Sequence, residues 1–341
     1  MSGLFCNFAY YRFIALTVDW RHDMERADIN VKNTAERDAF KQNAAGVKRA
    51  RRKMIIGLCE VASSGILWGI NGTVAQIFMR DYGADPMWLS CMRMFFSGIL
   101  FLICAFVVSA EKLKKMVCEK RDYLPLFLLS ICSVMMSQVT FLQTVNKTNS
   151  ATATVLQSLC IILVLVYVCI KERKFPRKRD ILGVTLAVLG TWLLATGGNS
   201  TELTLPLSGL IWGLLCAVAG AFMNIQPAKL LIKWGSFPVN GITFLLAGTL
   251  LIPFAKPFSN SPALDLRGFA LIGFVIVIGT FSAFGLFLKG MSTIGSMKAS
   301  LLSTSEPVTA TITSAVWGGT LFSATDIIGF VLIIVMIIVT S

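Results

Sequence analysis

The stretch "SGILWGINGTVAQIFM" occupies Ser64–Met79 and returns 144 residues later as "SGLIWGLLCAVAGAFM" at Ser208–Met223. Eight of the sixteen positions are identical, including the Trp-Gly pair and the closing Phe-Met. A second match has almost the same spacing, because Asp180-Ile181-x-Gly183-x-x-Leu186 returns as Asp326-Ile327-x-Gly329-x-x-Leu332 after 146 residues. The sequence therefore predicts two copies of one unit, at about residues 54–197 and 207–341.

The composition places this duplicated unit in a membrane. Of the 341 residues, 55% are hydrophobic and only 14% are charged. A membrane-spanning helix needs roughly 20 mostly apolar residues, and ten segments meet or approach that length, at about 54–79, 86–109, 123–145, 149–170, 181–197, 207–232, 237–255, 268–288, 293–317 and 327–340. Because backbone groups must be paired within lipid, we predict an all-α polytopic membrane protein with ten transmembrane helices. Five spans per copy would insert the second copy upside down, giving two inverted five-helix repeats.

The distribution of basic residues predicts the orientation in the membrane. Lys and Arg number fourteen in one alternating set of loops and four in the other set. Basic loops favour the cytoplasmic side, so we expect a multi-pass protein of the cell membrane with both termini cytoplasmic. The net charge of +13 is thereby explained by topology and does not call for a nucleic-acid partner.

Residues 1–53 differ from the rest of the chain, since they are polar and mixed in charge. Their one apolar patch, "FAYYRFIALTV" at residues 8–18, is too short to span a bilayer. We interpret residues 1–53 as a cytoplasmic N-terminal extension that is dispensable for transport. It is a disordered segment, a helix lying on the membrane surface, or an artefact of the assigned start.

Four ionisable residues fall within the predicted spans, where each costs about 2.5–3.5 kcal/mol at mid-helix unless it finds a partner or water. Glu60 lies near a membrane surface, and we expect Arg93 to play a structural role by bonding backbone carbonyls or Asp85. Glu306 precedes Pro307, which frees a carbonyl in the preceding turn and can act as a hinge. Lys298 lies two turns earlier on much the same face, and we predict that it belongs with Glu306 and Pro307 to the coupling or hinge group. Glu306 is the predicted proton- or cation-sensitive group, and a structural ion contact between the repeats is the alternative.

Uncharged polar residues cluster in equivalent spans of the two copies, the first with the sixth and the fourth with the ninth. Such groups either bond neighbouring helices or line a pocket. The pocket interpretation predicts a substrate-binding wall made by Trp68, Asn71, Gln138, Gln157, Trp212, Ser303 and Glu306.

Signals for catalysis, metal binding or a cofactor are lacking in the sequence. The nine cysteines have no metal-ligand spacing, and the single histidine, His22, lies in the extension. No nucleophile elbow, zinc-protease motif or phosphate-binding loop is present. We therefore predict no catalytic residue, no metal and no cofactor.

The order of these motifs resembles that of the EamA-like family in the drug/metabolite transporter superfamily. The resemblance rests on Trp-Gly in the first span, Pro86 followed seven residues later by Arg93, "NSATATVLQS" in the fourth span, and "GSMKASLLSTSEPVTATI" in the ninth. It implies ten spans, a central cavity, and export or exchange of small metabolites such as amino acids. The chain departs from the pattern at Cys160-Ile161, where the family often has a Gly-Pro or Glu-Pro pair.

These observations predict a secondary transporter that moves small metabolites across the cytoplasmic membrane by alternating access, as an exporter. Its expected partners are a small-molecule substrate, membrane lipid, and protons or another coupling ion. The alternative is a membrane-embedded enzyme or lipid scramblase that transports no solute.

Overall fold

The computed structural model describes residues 34–173, 175–199, 203–225, 228–295, 298–299 and 302–340. Residues Ile56–Ser341 form one compact unit, separate from Met1–Ile55, and every contact reported below lies within the former. Residues 1–33 of the predicted extension lie outside the described part of the chain.

The described residues form helices and connecting turns and contain no strand, which confirms the all-α prediction. In chain order the helices are α1 Thr34–Tyr82, α2 Pro86–Cys118, α3 Lys120–Lys147, α4 Ser150–Glu172, α5 Lys178–Thr196, α6 Leu207–Ile225, α7 Ala228–Trp234, α8 Ser236–Ala255, α9 Leu266–Ile294, α10 Ser305–Val316 and α11 Ala324–Thr340.

Eight of these helices, α1–α6, α8 and α9, are long and apolar enough to cross a membrane. The predicted tenth span corresponds to α11, which is apolar but only 17 residues long. The predicted ninth span contains α10, a helix of 12 residues preceded by a turn. Helix length and composition therefore identify eight of the ten predicted spans in the described part of the chain.

Polar caps set the points at which several helices begin. Asp85 precedes Pro86, and its carboxylate accepts hydrogen bonds from the Met87 and Trp88 amides at 2.7 and 3.2 Å. Proline suits the first helical position because its missing N–H would have no partner there. Asn149 caps α4 by accepting a bond from the Thr152 amide at 2.8 Å. These caps keep the connections after α1 and α3 short, so neighbouring helices pack side by side.

The second repeated motif has the same role in both copies. The Asp180 carboxylate accepts a hydrogen bond from the Arg177 amide at 2.8 Å, and Asp326 accepts one from the Ser323 amide at 2.9 Å. Both aspartates thus satisfy the amide three residues earlier, where a helix leaves that donor unpaired. The motif therefore marks the start of an equivalent helix in each copy.

Helices from the two copies pair in a reciprocal way, most extensively α2 with α8 and α5 with α11. In the α5–α11 pair, Gly183 faces Met336, and Gly329 faces the carbonyl of Gly190. A shift of 146 residues converts one contact into the other, because it relates Gly183 to Gly329 and Gly190 to Met336. Reciprocal contacts of this kind are the signature of a two-fold relation.

Two irregularities of the helices also recur at equivalent positions. A π-helical segment starts at Leu129 in α3 and another starts at Phe274 in α9, 145 residues later. Leu159 interrupts α4 with φ −61° and ψ −15°, and Thr304, again 145 residues later, precedes α10 with φ −62° and ψ −15°. π-Segments and helix breaks often mark functional sites. We therefore expect a functional site near these four positions.

Candidate functional site

A cavity of about 130 Å³ lies among seven helices of the described structure. Its lining comes from α1, α2, α3, α4, α6, α9 and α10, and comprises Trp68, Asn71, Arg93, Ser137, Gln138, Phe141, Gln157, Met223, Gly279, Thr280, Phe284 and Glu306. Gln157 lies just before the break in α4, Glu306 lies just after the break that precedes α10, and Gly279 and Thr280 belong to the π-segment of α9. Three of the four helical irregularities therefore border one cavity.

Most of the unpaired polar atoms in the described interior face this cavity. Five buried side-chain nitrogen or oxygen atoms in the described residues have no hydrogen-bond partner, and four of them belong to lining residues: Trp68 Nε1, Asn71 Oδ1, Arg93 Nε and Gln138 Oε1. Buried polar groups are almost always paired, since an unpaired one costs about 1–3 kcal/mol. Two donors and two acceptors are thus available to a ligand that offers both kinds of group.

Two ionisable side chains of opposite type, a guanidinium and a carboxyl group, line the same cavity. Arg93 is only 4% exposed, and Glu306 borders the cavity directly. Within the described residues neither of them forms an ion pair shorter than 4.0 Å, whether with each other or with a third group. At membrane depth, a guanidinium and a carboxyl group without protein partners cost free energy, which the binding of a ligand would offset. Together they suit a ligand that carries both an anionic and a cationic group.

The π-segment of α9 brings its backbone against α1. The Asn71 amide nitrogen donates to the Gly279 carbonyl at 3.3 Å. A Cβ at position 279 would lie 2.1 Å from the Asn71 Oδ1, so only glycine permits this approach. The bond orients Asn71 and leaves its oxygen as one of the unpaired acceptors.

Aromatic rings complete the wall. The Trp68 ring packs edge-on against Phe284, with centroids 5.0 Å apart, and lies 5.2 Å from Phe287. This contact fixes the indole so that its N–H remains available. Trp68 therefore both packs and lines the cavity.

A polar layer, made by Thr73, Gln76, Ser150 and Thr313, lies between the cavity and the α1–α2 turn. The fully buried Thr73 hydroxyl lies 2.9 Å from the Ser150 hydroxyl and 2.7 Å from the Thr313 hydroxyl. Gln76 Oε1 accepts a bond from the Ser150 amide at 2.9 Å. The polar layer therefore ties α1 to α4 and α10.

Ionic contacts reinforce the same end at the protein surface. Arg267 contacts Asp81 at 2.9 Å, and the Tyr82 hydroxyl donates to Asp265. That hydroxyl, followed by the Gly268 amide, holds the pKa of Asp265 below its usual value of 3.8. The Asp265 carboxylate therefore stays charged at neutral pH and keeps α9 tied to the end of α1.

We expect Thr73→Val to destabilise the fold, because it removes a hydroxyl that contacts two other helices. The loss should be about 1–2 kcal/mol, measured as a lower Tm in detergent. Thr249→Val is the matched control, since the exposed Thr249 hydroxyl bonds only to the Leu245 carbonyl of its own helix. Equal Tm changes in the two variants would argue against the polar layer as a tie between helices.

The structure gathers five of the seven residues predicted for the substrate wall. Trp68, Asn71, Gln138, Gln157 and Glu306 line the cavity, and Pro307 is buried immediately after Glu306. Three other predicted residues do not line it. Trp212 lies half-buried on α6, the Ser303 hydroxyl donates to the Ala299 carbonyl at 2.9 Å, and Lys298 is exposed.

Arg93 was expected to bond Asp85 or backbone carbonyls, and that expectation is wrong. Asp85 caps α2 instead, and Arg93 faces the cavity. Its position seven residues after Pro86 placed it within the span, but the sequence did not indicate the side of the helix on which the cavity lies. Glu60 has a structural partner, since Lys289 Nζ lies 2.6 Å from its carboxylate.

A multi-helix membrane protein with an internal polar cavity has the architecture of a membrane transporter. The EamA-like transporter family matches residues 55–196 and again residues 207–341, and the chain belongs to that family. The chain is accordingly a multi-pass membrane protein with two repeats.

Named relatives agree with this assignment. An uncharacterized inner membrane transporter of Salmonella typhimurium, YicL, is 33% identical over 289 residues, which cover 84% of this chain and 95% of that protein. An uncharacterized transporter of Bacillus subtilis, YwfM, is 24% identical over 292 residues, covering 82% and 92%. A crystal structure of a protein with 16% identity has the same fold, with a TM-score of 0.59 over 85% of this chain and 96% of the other. The Salmonella and Bacillus relatives are transporters by name, which points away from an enzyme.

Proposed function

We propose that the chain is a secondary transporter of small metabolites and that the cavity around Arg93 and Glu306 is its substrate site. The observation that carries this proposal is the set of four unpaired buried polar atoms, one of them on Arg93, that line one cavity together with the carboxyl group of Glu306. Packing alone does not account for such a set, because each member costs free energy while it remains unpaired. Ligand binding accounts for all of them together.

The symmetry of the helices supports transport by alternating access. The equivalent breaks in α4 and before α10 lie beside cavity residues, and the two π-segments occupy equivalent positions in α3 and α9. We infer ten spans in two inverted five-helix repeats, with residues 54–197 and 207–341 as the two units. Two such units can exchange conformations and open the central site to each side in turn. Pro307, beside the break, is the proposed hinge for this change.

The charges of the cavity indicate the substrate class. Arg93 suits an anionic group such as a carboxylate, and Glu306 suits an ammonium group or a proton. The volume of about 130 Å³ fits a small solute. We therefore propose amino acids or related zwitterionic compounds as substrates, with protons as the coupling ion bound at Glu306.

We further propose that both termini are cytoplasmic and that net movement is export, with residues 1–53 dispensable. The distribution of loop charges supports this orientation. A reporter fused after Lys115 should then be cytoplasmic, and an extracellular signal from it would reverse the orientation.

Flux from proteoliposomes tests the function. Vesicles loaded with a mixture of isotopically labelled amino acids and other small metabolites should release a subset of them faster than protein-free vesicles. The same vesicles should show no accelerated movement of fluorescent phospholipids between leaflets. Rapid lipid movement without solute release would instead favour the scramblase alternative.

A further inference from the structure

A second, apolar cavity opens on the surface at the opposite end of α2 from Asp85. This groove has a volume of about 540 Å³ and is lined by side chains of α2, α3 and α8, namely Met116, Val117, Tyr123, Leu124, Leu126, Phe127, Ile242 and Leu246. Val117 and Leu124 are 52% and 65% exposed, so the groove is accessible from outside the protein. It shares no residue with the central cavity.

The floor of the groove is buried and is formed by residues of both repeats. Met116 and Leu126 are buried in one cluster with Leu230, Trp234 and Val239, which belong to α7 and α8. The Tyr123 hydroxyl donates to the Val117 carbonyl at 2.5 Å and connects the two sides of the groove at the α2–α3 connection. The groove is therefore part of the packed fold, and an occupant would touch both repeats.

Exposed cations lie in the chain beside the groove residues at the α2–α3 connection. Five exposed basic residues lie within the segment that contributes Met116, Val117 and Tyr123, namely Lys112, Lys114, Lys115, Lys120 and Arg121. None of the five forms an ion pair within 4.0 Å among the described residues. The exposed apolar groove thus leads into a patch of unneutralised positive charge.

The acidic residues of the same segment are turned to another partner. Asp122 accepts bonds from Lys233 Nζ and Trp234 Nε1, both at 2.7 Å, and Glu119 lies 3.9 Å from Lys233. These contacts draw Asp122 and Glu119 toward the end of α7. They leave Lys115, Lys120 and Arg121 available to an anion from outside the protein.

We propose that this groove is a binding site for an anionic phospholipid, with an acyl chain in the apolar groove and the phosphate held by Lys115, Lys120 and Arg121. The charge of the rim selects the headgroup, because basic pockets between helices at a membrane surface bind anionic lipids. The non-helical backbone at Ser109, with φ −150° and ψ 45°, bends α2 and sets the direction of the basic segment that follows it. A lipid bound there links α2 and α3 of the first repeat to α8 of the second.

The α4–α5 connection provides a matched comparison. It carries a similar density of exposed cations, at Lys171, Arg173, Arg177, Lys178 and Arg179, but contributes no residue to this groove. If binding depended on general attraction to basic loops alone, the two connections would behave alike. Only the α2–α3 connection combines the charge with the groove described here.

Native mass spectrometry of the full chain, titrated with palmitoyl-oleoyl phosphatidylglycerol or phosphatidylcholine, tests the site. We expect the wild-type chain to bind phosphatidylglycerol at least tenfold more tightly than phosphatidylcholine. The triple variant K115Q/K120Q/R121Q should lose at least fivefold of the phosphatidylglycerol affinity, whereas R177Q/K178Q/R179Q should lose less than twofold. Leu124→Trp, which fills the groove and keeps every charge, should also lose at least fivefold.

Three results would overturn the proposal. One is equal affinity of the wild-type chain for the two lipids. Another is the same loss in both triple variants, which would mean diffuse attraction to basic loops. The third is unchanged binding in Leu124→Trp, which would mean that the groove holds no acyl chain. The substituted positions are exposed, and an unchanged Tm without lipid confirms that each variant is folded.

Discussion

Glu306→Gln is expected to lower substrate flux in proteoliposomes at least 100-fold and to remove its response to a pH gradient. The substitution keeps the size and the hydrogen-bonding capacity of the side chain but removes the group that can exchange a proton or bind a cation. Because no protein group within 4.0 Å pairs with this carboxylate in the described structure, the loss cannot be assigned to a broken ion pair. If flux did not depend on this carboxyl group, the free-energy cost of holding it at membrane depth would have no explanation.

Glu60→Gln is the matched control for this result. Glu60 also lies in a spanning helix, but it pairs with Lys289 at 2.6 Å and does not line the cavity. Lys289 is 72% exposed, so the pair is worth little. Flux in Glu60→Gln should remain within about threefold of the wild type. Equal flux in Glu306→Gln and the wild type would remove Glu306 from the proposed mechanism.

Gly98→Ala is expected to have the largest effect on folding, because α2 and α8 touch backbone to backbone at this point. A Cβ on Gly98 would lie 2.4 Å from the Leu245 amide nitrogen and 2.7 Å from its Cα, and neither atom can move without shifting α8. Overpacking of this kind costs on the order of 3 kcal/mol or more. We expect a lower Tm in detergent by at least 10 °C, or no folded protein.

Gly285→Ala makes the same chemical change where nothing lies within 4 Å of the added Cβ. Alanine favours a helix over glycine by about 1 kcal/mol, so this variant should be neutral or slightly stabilised. The two substitutions should therefore change the Tm in opposite directions or differ strongly in size. Similar Tm values for the two variants would mean that α2 and α8 are not as close as described.

The duplication could be predicted from the sequence because the repeated motifs are short stretches whose residues act within one helix. The aspartates of the second motif cap helices in the same way, so Asp180 and Asp326 retain their spacing to a glycine and a leucine. Membrane insertion and the all-helical fold follow from composition, which is a property of whole segments. Much of the cavity lining could be predicted for a similar reason, since Asn71, Gln138 and Glu306 are costly in lipid unless they serve a site.

Other features could not be predicted because they depend on tertiary contacts. The π-segments that start at Leu129 and Phe274 are mostly apolar and carry no distinguishing motif, and a periodic pattern does not show where a helix widens. The direction of Arg93 depends on how α2 packs against its neighbours. The Ser303 hydroxyl donates to the Ala299 carbonyl, a backbone bond that any serine can make and that the sequence cannot distinguish from a ligand contact.

The central claim, that solute binds in the cavity between the repeats, is tested most directly by solute protection of a single cysteine. The nine native cysteines would be replaced by alanine or serine, and Met223, an apolar residue of the cavity wall, by cysteine. We predict that a saturating concentration of the transported solute slows the reaction of Cys at 223 with a small thiol reagent at least tenfold. A cysteine in place of the exposed Ser259, in the α8–α9 connection, should react at an unchanged rate. An unprotected thiol at position 223 in a chain that still transports the solute would contradict the account.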